Sequence, residues 1–181
     1  MKRLLSIIGA ISLVGTSTTS LVACNTPQYS EDELKKLKEE NKINTTNQEI
    51  KDNLEWIVPQ EKPFNEKDDK WYYVVWRENK DVKWVITKFK NDKKVDNLIK
   101  ITNINNWSLC LNKDIPYDIK GNKNVILFIV EDEKQGKIKQ NNNIWQKTND
   151  DYFKSVYRWN LNTQEPNLII DDKGNVKVNG E

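Results

Sequence analysis

The sequence predicts a mainly β domain, an antiparallel sandwich or open barrel of about seven to eight short strands, preceded by a short tether helix. Three observations carry this. Aromatic and β-branched runs recur from Trp56 to the C-terminus. Turn clusters rich in Asn, Asp, Lys and Gly separate them at hairpin spacing. The segment before them is polar and opens on a helix-start signature. Of 181 residues, 36% are apolar and 31% charged, which suits one globular domain with an N-terminal extension.

The chain starts with Met1-Lys2-Arg3, followed by 11 apolar or small residues from Leu4 to Val14. Gly15 to Ser20 is small and polar. A charged start, a short apolar run and small residues read as a secretory signal over 1–23. A spanning helix needs roughly 20 mostly apolar residues, so an uncleaved anchor is the poorer reading. Leu21-Val22-Ala23-Cys24 ends the segment. Its thiol suits diacylglyceryl transfer, and the small residues before it suit a signal peptidase. The expected mature chain begins at Cys24, held by two acyl chains, which anchor stably where one does not.

Residues 24–53 read as the lipidated N-terminus and a polar, helical tether. Ser30-Glu31-Asp32-Glu33 has the form of a capping box. Glu31 with Lys35 and Asp32 with Lys36 are spaced for i,i+4 pairing. Leu34 and Leu37 alone make a stripe too narrow for a coiled coil. Ile43, Ile50, Leu54 and Ile57 allow a second short helix ending near Leu54, with Ile50 and Leu54 docked on the domain. As flexible coil the spacer would span roughly 30 Å.

Residues 54–181 read as the β-rich domain. Trp71–Arg77 and Val82–Phe89 make a hairpin across Glu78-Asn79-Lys80-Asp81. Val95–Ile104 is open between a strand and a short helix. Trp107, Leu109 and Leu111 alternate with Ser108 and Cys110, as in a half-buried strand. Val125–Val130 is continuously apolar, as in a strand covered on both faces. Gln135-Gly136-Lys137 turns toward Ile138–Gln140. Tyr152–Trp159 is another strand, and Leu168–Ile170 and Val176–Val178 flank a hairpin turn at Asp172-Lys173-Gly174-Asn175.

Composition excludes several functions. Histidine is absent, which removes imidazole nucleophile dyads and imidazole zinc sites. Beyond residue 23 the 27 basic side chains balance 27 acidic ones, so no basic excess serves nucleic acid. Gly-rich phosphate loops are missing. Glu131-Asp132-Glu133 and Asp171-Asp172 lack calcium-loop spacing and read as turn charges. No cofactor or metal is expected. With Cys24 lipidated, Cys110 has no disulfide partner and reads as a small buried hydrophobe.

The aromatic residues are the sharper signal. Trp71-Tyr72-Tyr73-Val74-Val75-Trp76 is apolar on both faces, so the strand is covered twice or displays one face to a ligand. The chain has 26 lysines but only three arginines, two of them after the leader. Arg77 and Arg158 each neighbour a tryptophan, Trp76 and Trp159. With Tyr73 and Tyr152 they form the candidate binding patch for an anionic or sugar ligand; the competing reading is a structural cation–π or salt-bridge contact.

The Lys-Arg-Leu-Leu-Ser-Ile-Ile-Gly start, the Leu-Val-Ala-Cys box and the Lys, Asn and Ile richness resemble mollicute surface lipoproteins of the Spiroplasma type. Trp84–Asp92 and the stretch from Tyr152–Trp159 to Val178 are similar to that group too. The resemblance implies a cell-surface location and no assigned activity. It transfers one residue role, lipidation of Cys24. The expected function is a membrane-anchored extracellular lipoprotein on the outer leaflet. Its β domain would be non-catalytic and contact a host or environmental ligand. The alternatives are an accessory subunit docking through residues 30–54 and a carboxylate glycosidase.

Overall fold

The computed structural model describes residues 28–113, 124–132 and 143–181. The leader, Cys24, the turn expected at Gln135-Gly136-Lys137 and the strand expected at Ile138–Gln140 lie outside the described residues.

Two helices come first, α1 (Glu31–Glu40) and α2 (Gln48–Asn53). Ten strands follow among the described residues: β1 (Leu54–Ile57), β2 (Trp71–Trp76), β3 (Val85–Lys90), β4 (Ile99–Ile104), β5 (Trp107–Lys113), β6 (Val125–Glu131), β7 (Asn143–Ile144), β8 (Phe153–Trp159), β9 (Leu168–Ile170) and β10 (Val176–Val178). All pairings are antiparallel. One sheet runs β1-β8-β2-β3, a second runs β4-β5-β6-β7, and β9 and β10 form a separate hairpin.

The two four-stranded sheets face one another, so the fold is a sandwich rather than an open barrel. Tyr72, Val74, Trp76, Phe153 and Val156 from the first sheet meet Leu109, Leu111, Leu127 and Ile129 from the second. Successive strand residues point to opposite faces, so the same β2 supplies Tyr73 and Val75 to a second core behind it. This strand is covered twice, which explains its unbroken apolar run. Helices α1 and α2 and the β9–β10 hairpin close that second core with Leu34, Leu37, Ile43, Ile50, Leu168 and Val176. A small third cluster of Cys110, Phe128 and Val130 lies on the outer face of the second sheet.

Two irregularities set the strand phases. Val75 pairs with Ser155 and Trp76 with Phe153, which leaves Lys154 as an extra residue in β8. That bulge lets Phe153 and Val156, of opposite parity, face the same core. In β4 the register shifts between Lys100 and Thr102, so Ile99 and Ile104 both reach the inner face. The β4–β5 turn is Asn105-Asn106, both at positive φ (51° and 68°). That conformation closes a two-residue hairpin without splaying the strands. Within residues 95–104, open at the level of sequence, Ile99–Ile104 forms a strand, because Ile99, Ile101 and Ile104 pack against the core.

The helical segment differs from expectation. The capping box forms as read: Glu33 N–H donates to Ser30 Oγ at 3.3 Å, and Ser30 N–H donates to Glu33 at 2.8 Å. The helix is not a free tether, however. Leu34 and Leu37 pack on the second core, and Lys38 bridges Glu55 and Glu61. Tyr29 and Gln60 exchange two hydrogen bonds, at 2.7 and 2.9 Å. The pairs formed on the helix are Lys36–Glu40 and Glu39–Lys42, not Glu31–Lys35 and Asp32–Lys36. Among the described residues, Tyr29 and α1 thus pack with the domain that was expected to start at residue 54. The cause is the uncovered rear face of the first sheet, which two leucines at helical spacing suffice to reach. Ile50 and Leu54 dock as expected, at 6% and 4% exposed.

Candidate functional site

The strand registers separate the proposed arginine patch. Arg158 lies opposite Tyr72 at the start of β2, whereas Arg77 follows the end of that strand. Five residues at about 3.3 Å each put them roughly 17 Å apart along the sheet. Neither stacks on its sequence neighbour, because adjacent strand residues point to opposite faces. Arg158 instead donates to Glu55 at 2.6 Å and to Asn160 at 2.8 Å. Arg77 sits over the Trp84 ring, 4.2 Å from its centroid. Its Nε and Nη1 donate to the carbonyls of Asp151 and Lys80. Both arginines are engaged by contacts within the domain.

The two tyrosines are committed too. Tyr73 is 1% exposed, and its hydroxyl donates to Pro166 O at 2.6 Å. Burial and the nearby Glu165 charge push its phenol well above the ordinary range. Tyr152 packs against the sandwich core, while its carbonyl accepts the Arg77 N–H at 3.0 Å. The structure thus joins Arg77 with Tyr152 and leaves Tyr73 and Arg158 elsewhere. Trp56, Trp76, Trp145 and Trp159 are buried, and Trp71, Trp84 and Trp107 are half-buried.

Two other sequence candidates are satisfied internally. Asp132 accepts from Lys100, Asn103 and Ser108, which outweigh its slight burial and hold its carboxyl below the usual range. Cys110 is fully buried, and desolvation pushes its thiol up to about 12. A thiol so raised is not a nucleophile at neutral pH.

An open site among the described residues lies elsewhere. A polar cleft of about 530 Å³ lies between the C-terminal end of α1, the β8 bulge and the β9–β10 turn. That volume is within the range of organic ligand sites. Glu40, Asn44, Asn149, Lys154, Asp171 and Lys177 line it, over Tyr157. Each wall has a local cause. The bulge leaves Lys154 unpaired in the ladder and turns it toward the cleft. Asn149 takes a left-handed φ of 57°, and its N–H donates to the Lys154 carbonyl at 2.9 Å. Asp150 caps the same turn by accepting the N–H groups of Tyr152 and Phe153. Tyr157 donates to the Asn41 carbonyl, fixing the helix end against the sheet.

Gly174 closes the opposite wall. Its φ is +78°, and a Cβ there would lie 2.7 Å from Trp84 and 2.9 Å from the Lys154 side chain. Trp84 is therefore held among Gly174, Lys154 and Arg77, with Lys154 Nζ 5.8 Å from its ring centroid. Asp171 is occupied by its own turn. It accepts from the Lys173 and Asn175 N–H groups and from the Asn175 amide, which lowers its carboxyl pKa. Glu40 pairs with Lys36.

Sequence reasoning missed this cleft because its walls come from three distant segments. Lys154 and Asn149 carry no motif. The only signal was the isolated Gly174 in a turn.

The chain matches no protein-family model, no curated protein and no solved structure. Among the described residues no group of three or more Cys, Asp or Glu is placed to hold a metal ion. No described helix is long and apolar enough to cross a membrane.

Proposed function

We propose that this chain is a lipid-anchored protein of the outer cell surface. Its β sandwich is a contact domain for an extracellular ligand and carries out no chemistry. Diacylation of Cys24 is the anchor. The observation that carries the reading is the Lys-Arg start, short apolar run and Leu21-Val22-Ala23-Cys24 box, ending five residues before Tyr29, which is hydrogen-bonded to Gln60. Two acyl chains suffice for stable attachment, and no described helix competes as the anchor.

The short linker refines the expected geometry. Five residues reach at most about 18 Å when fully extended. The domain is therefore held near the bilayer, not lifted by a 29-residue spacer. Asp171 is engaged by its own turn, which lowers its carboxyl pKa, whereas a general acid needs a raised one.

Cys24→Ser tests the anchor. The wild-type chain should partition into detergent and be shaved from intact cells by protease. The variant should remain unprocessed and leave the detergent phase. Unaltered partitioning of Cys24→Ser overturns the reading. The accessory-subunit alternative is disfavoured by one observation: Leu34, Leu37 and Lys38, its docking face, are already used within the domain.

A further inference from the structure

Among the described residues neither Lys154 nor Lys177 forms an ion pair, although Lys154 Nζ lies 5.8 Å from the Trp84 ring centroid and the Lys177 charge acts on Asp171. The side-chain amides of Asn44 and Asn149 likewise have no hydrogen-bond partner among those residues. The two carboxylates present the opposite case. Asp171 accepts three hydrogen bonds from its own turn, and Glu40 lies 3.7 Å from Lys36. Lys42, at the rim, is bound to Glu39. What the cleft offers to a ligand is two ammonium donors and two amides.

Each kind of group selects a chemistry. An ammonium has three donors and no acceptor, so it wants an anionic oxygen. A carboxamide donates and accepts, as a hydroxyl does, so it matches a polyol. A ligand carrying both is an acidic sugar. The volume of about 530 Å³ exceeds what a simple inorganic anion needs and suits an oligosaccharide of a few rings. The half-buried Trp84 borders the Lys154 side of the cleft.

We propose that the cleft binds an anionic oligosaccharide, with Lys154 and Lys177 on its acidic groups and Asn44 and Asn149 on its hydroxyls. This rests on reading the domain as a ligand-contact domain. No bond is made or broken.

The test uses the full chain in detergent micelles. The probes are a galacturonic acid tetrasaccharide, its methyl ester and a poly-glutamate of similar charge. Calorimetry should show binding of the acid form at least tenfold tighter than the ester, weakening as salt rises. The double variant Lys154→Gln and Lys177→Gln should lose at least tenfold in affinity, and Lys177→Gln alone, which leaves the Trp84 contact in place, should lose affinity with an unchanged thermal midpoint. Asn149→Ala should weaken binding of the saccharide without changing the response to poly-glutamate. Equal binding of acid and ester, or full binding by the double variant, overturns the proposal. Poly-glutamate bound as tightly as the saccharide overturns the sugar assignment while leaving a contact domain. Silence in every arm overturns the proposal and leaves the contact-domain reading standing for ligands of other chemistry. None of these outcomes alters the detergent partitioning that tests Cys24.

Discussion

Gly174 shows how one missing side chain can hold a wall in place. Its positive φ is costly for any L residue, and the space a methyl would fill is taken by Trp84 and Lys154. Gly174→Ala should cost about 1–3 kcal/mol through strain and overpacking, read as a lower thermal midpoint. An unchanged midpoint would mean that Trp84 moves aside freely. Cys110 makes a second residue-scale prediction. Buried against Phe128 and Val130 with its thiol pushed up to about 12, it should resist maleimide at pH 8 in a Cys24→Ser background. Labelling should appear only on addition of denaturant. Rapid labelling of the native protein would contradict the burial.

At the scale of elements, the docking of α1 rests on a charge cluster as well as two leucines. Glu55 accepts from Lys38 and Arg158 while 24% exposed. Burial works to raise its carboxyl pKa, but the hydrogen bonds from Lys38 and Asn160 and the Arg158 and Lys38 charges outweigh it and hold the value below normal. A carboxyl depressed in the folded state stabilises fully above its ordinary value and loses that contribution as pH falls through the folded one. Acidification below about pH 4.5 should therefore loosen α1 and the β1 edge first. Hydrogen-exchange protection over Glu31–Glu40, relative to the intrinsic rate at each pH, that falls between pH 5 and 3 ahead of β2 is the expected reading. Glu55→Gln should cost about 1–2 kcal/mol, between the values for exposed and buried pairs, and should flatten that pH dependence. A variant with the wild-type pH profile would remove Glu55 from the account.

At the scale of the whole molecule, the first sheet belongs to two cores at once. Trp76 faces the sandwich interior, while Trp159 faces the helices and the hairpin. Neither core can open without disturbing strands shared with the other. Thermal unfolding should then be a single transition, with tryptophan fluorescence and far-ultraviolet circular dichroism coincident. Two separated midpoints would show that α1, α2 and the hairpin melt as their own unit.

The strands were legible wherever side-chain chemistry and turn chemistry agreed. Leu168–Ile170 and Val176–Val178 form with the boundaries read from sequence, because Asp171 to Asn175 closes its own turn. Val82–Phe89 starts three residues late, at Val85, since Arg77 holds the loop through Lys80 and Asp151. The short strands β1 and β7 escaped notice, as four and two residues leave no periodicity to read.

The sequence by itself determined a mainly β domain, its chief strands and turns, the α1 cap, and the absence of histidine chemistry. These depend on composition and on neighbours a few residues apart. Tertiary structure alone decided that the sheets face each other as a sandwich, that the supposed tether helix joins the domain, and that Arg77 and Arg158 stand at opposite ends of a strand. It also made the cleft, from the end of α1, a bulge in β8 and the β9–β10 turn. The physical reason is register: which faces and which distant loops meet depends on how strands pair, and pairing is a property of partners that no local pattern contains.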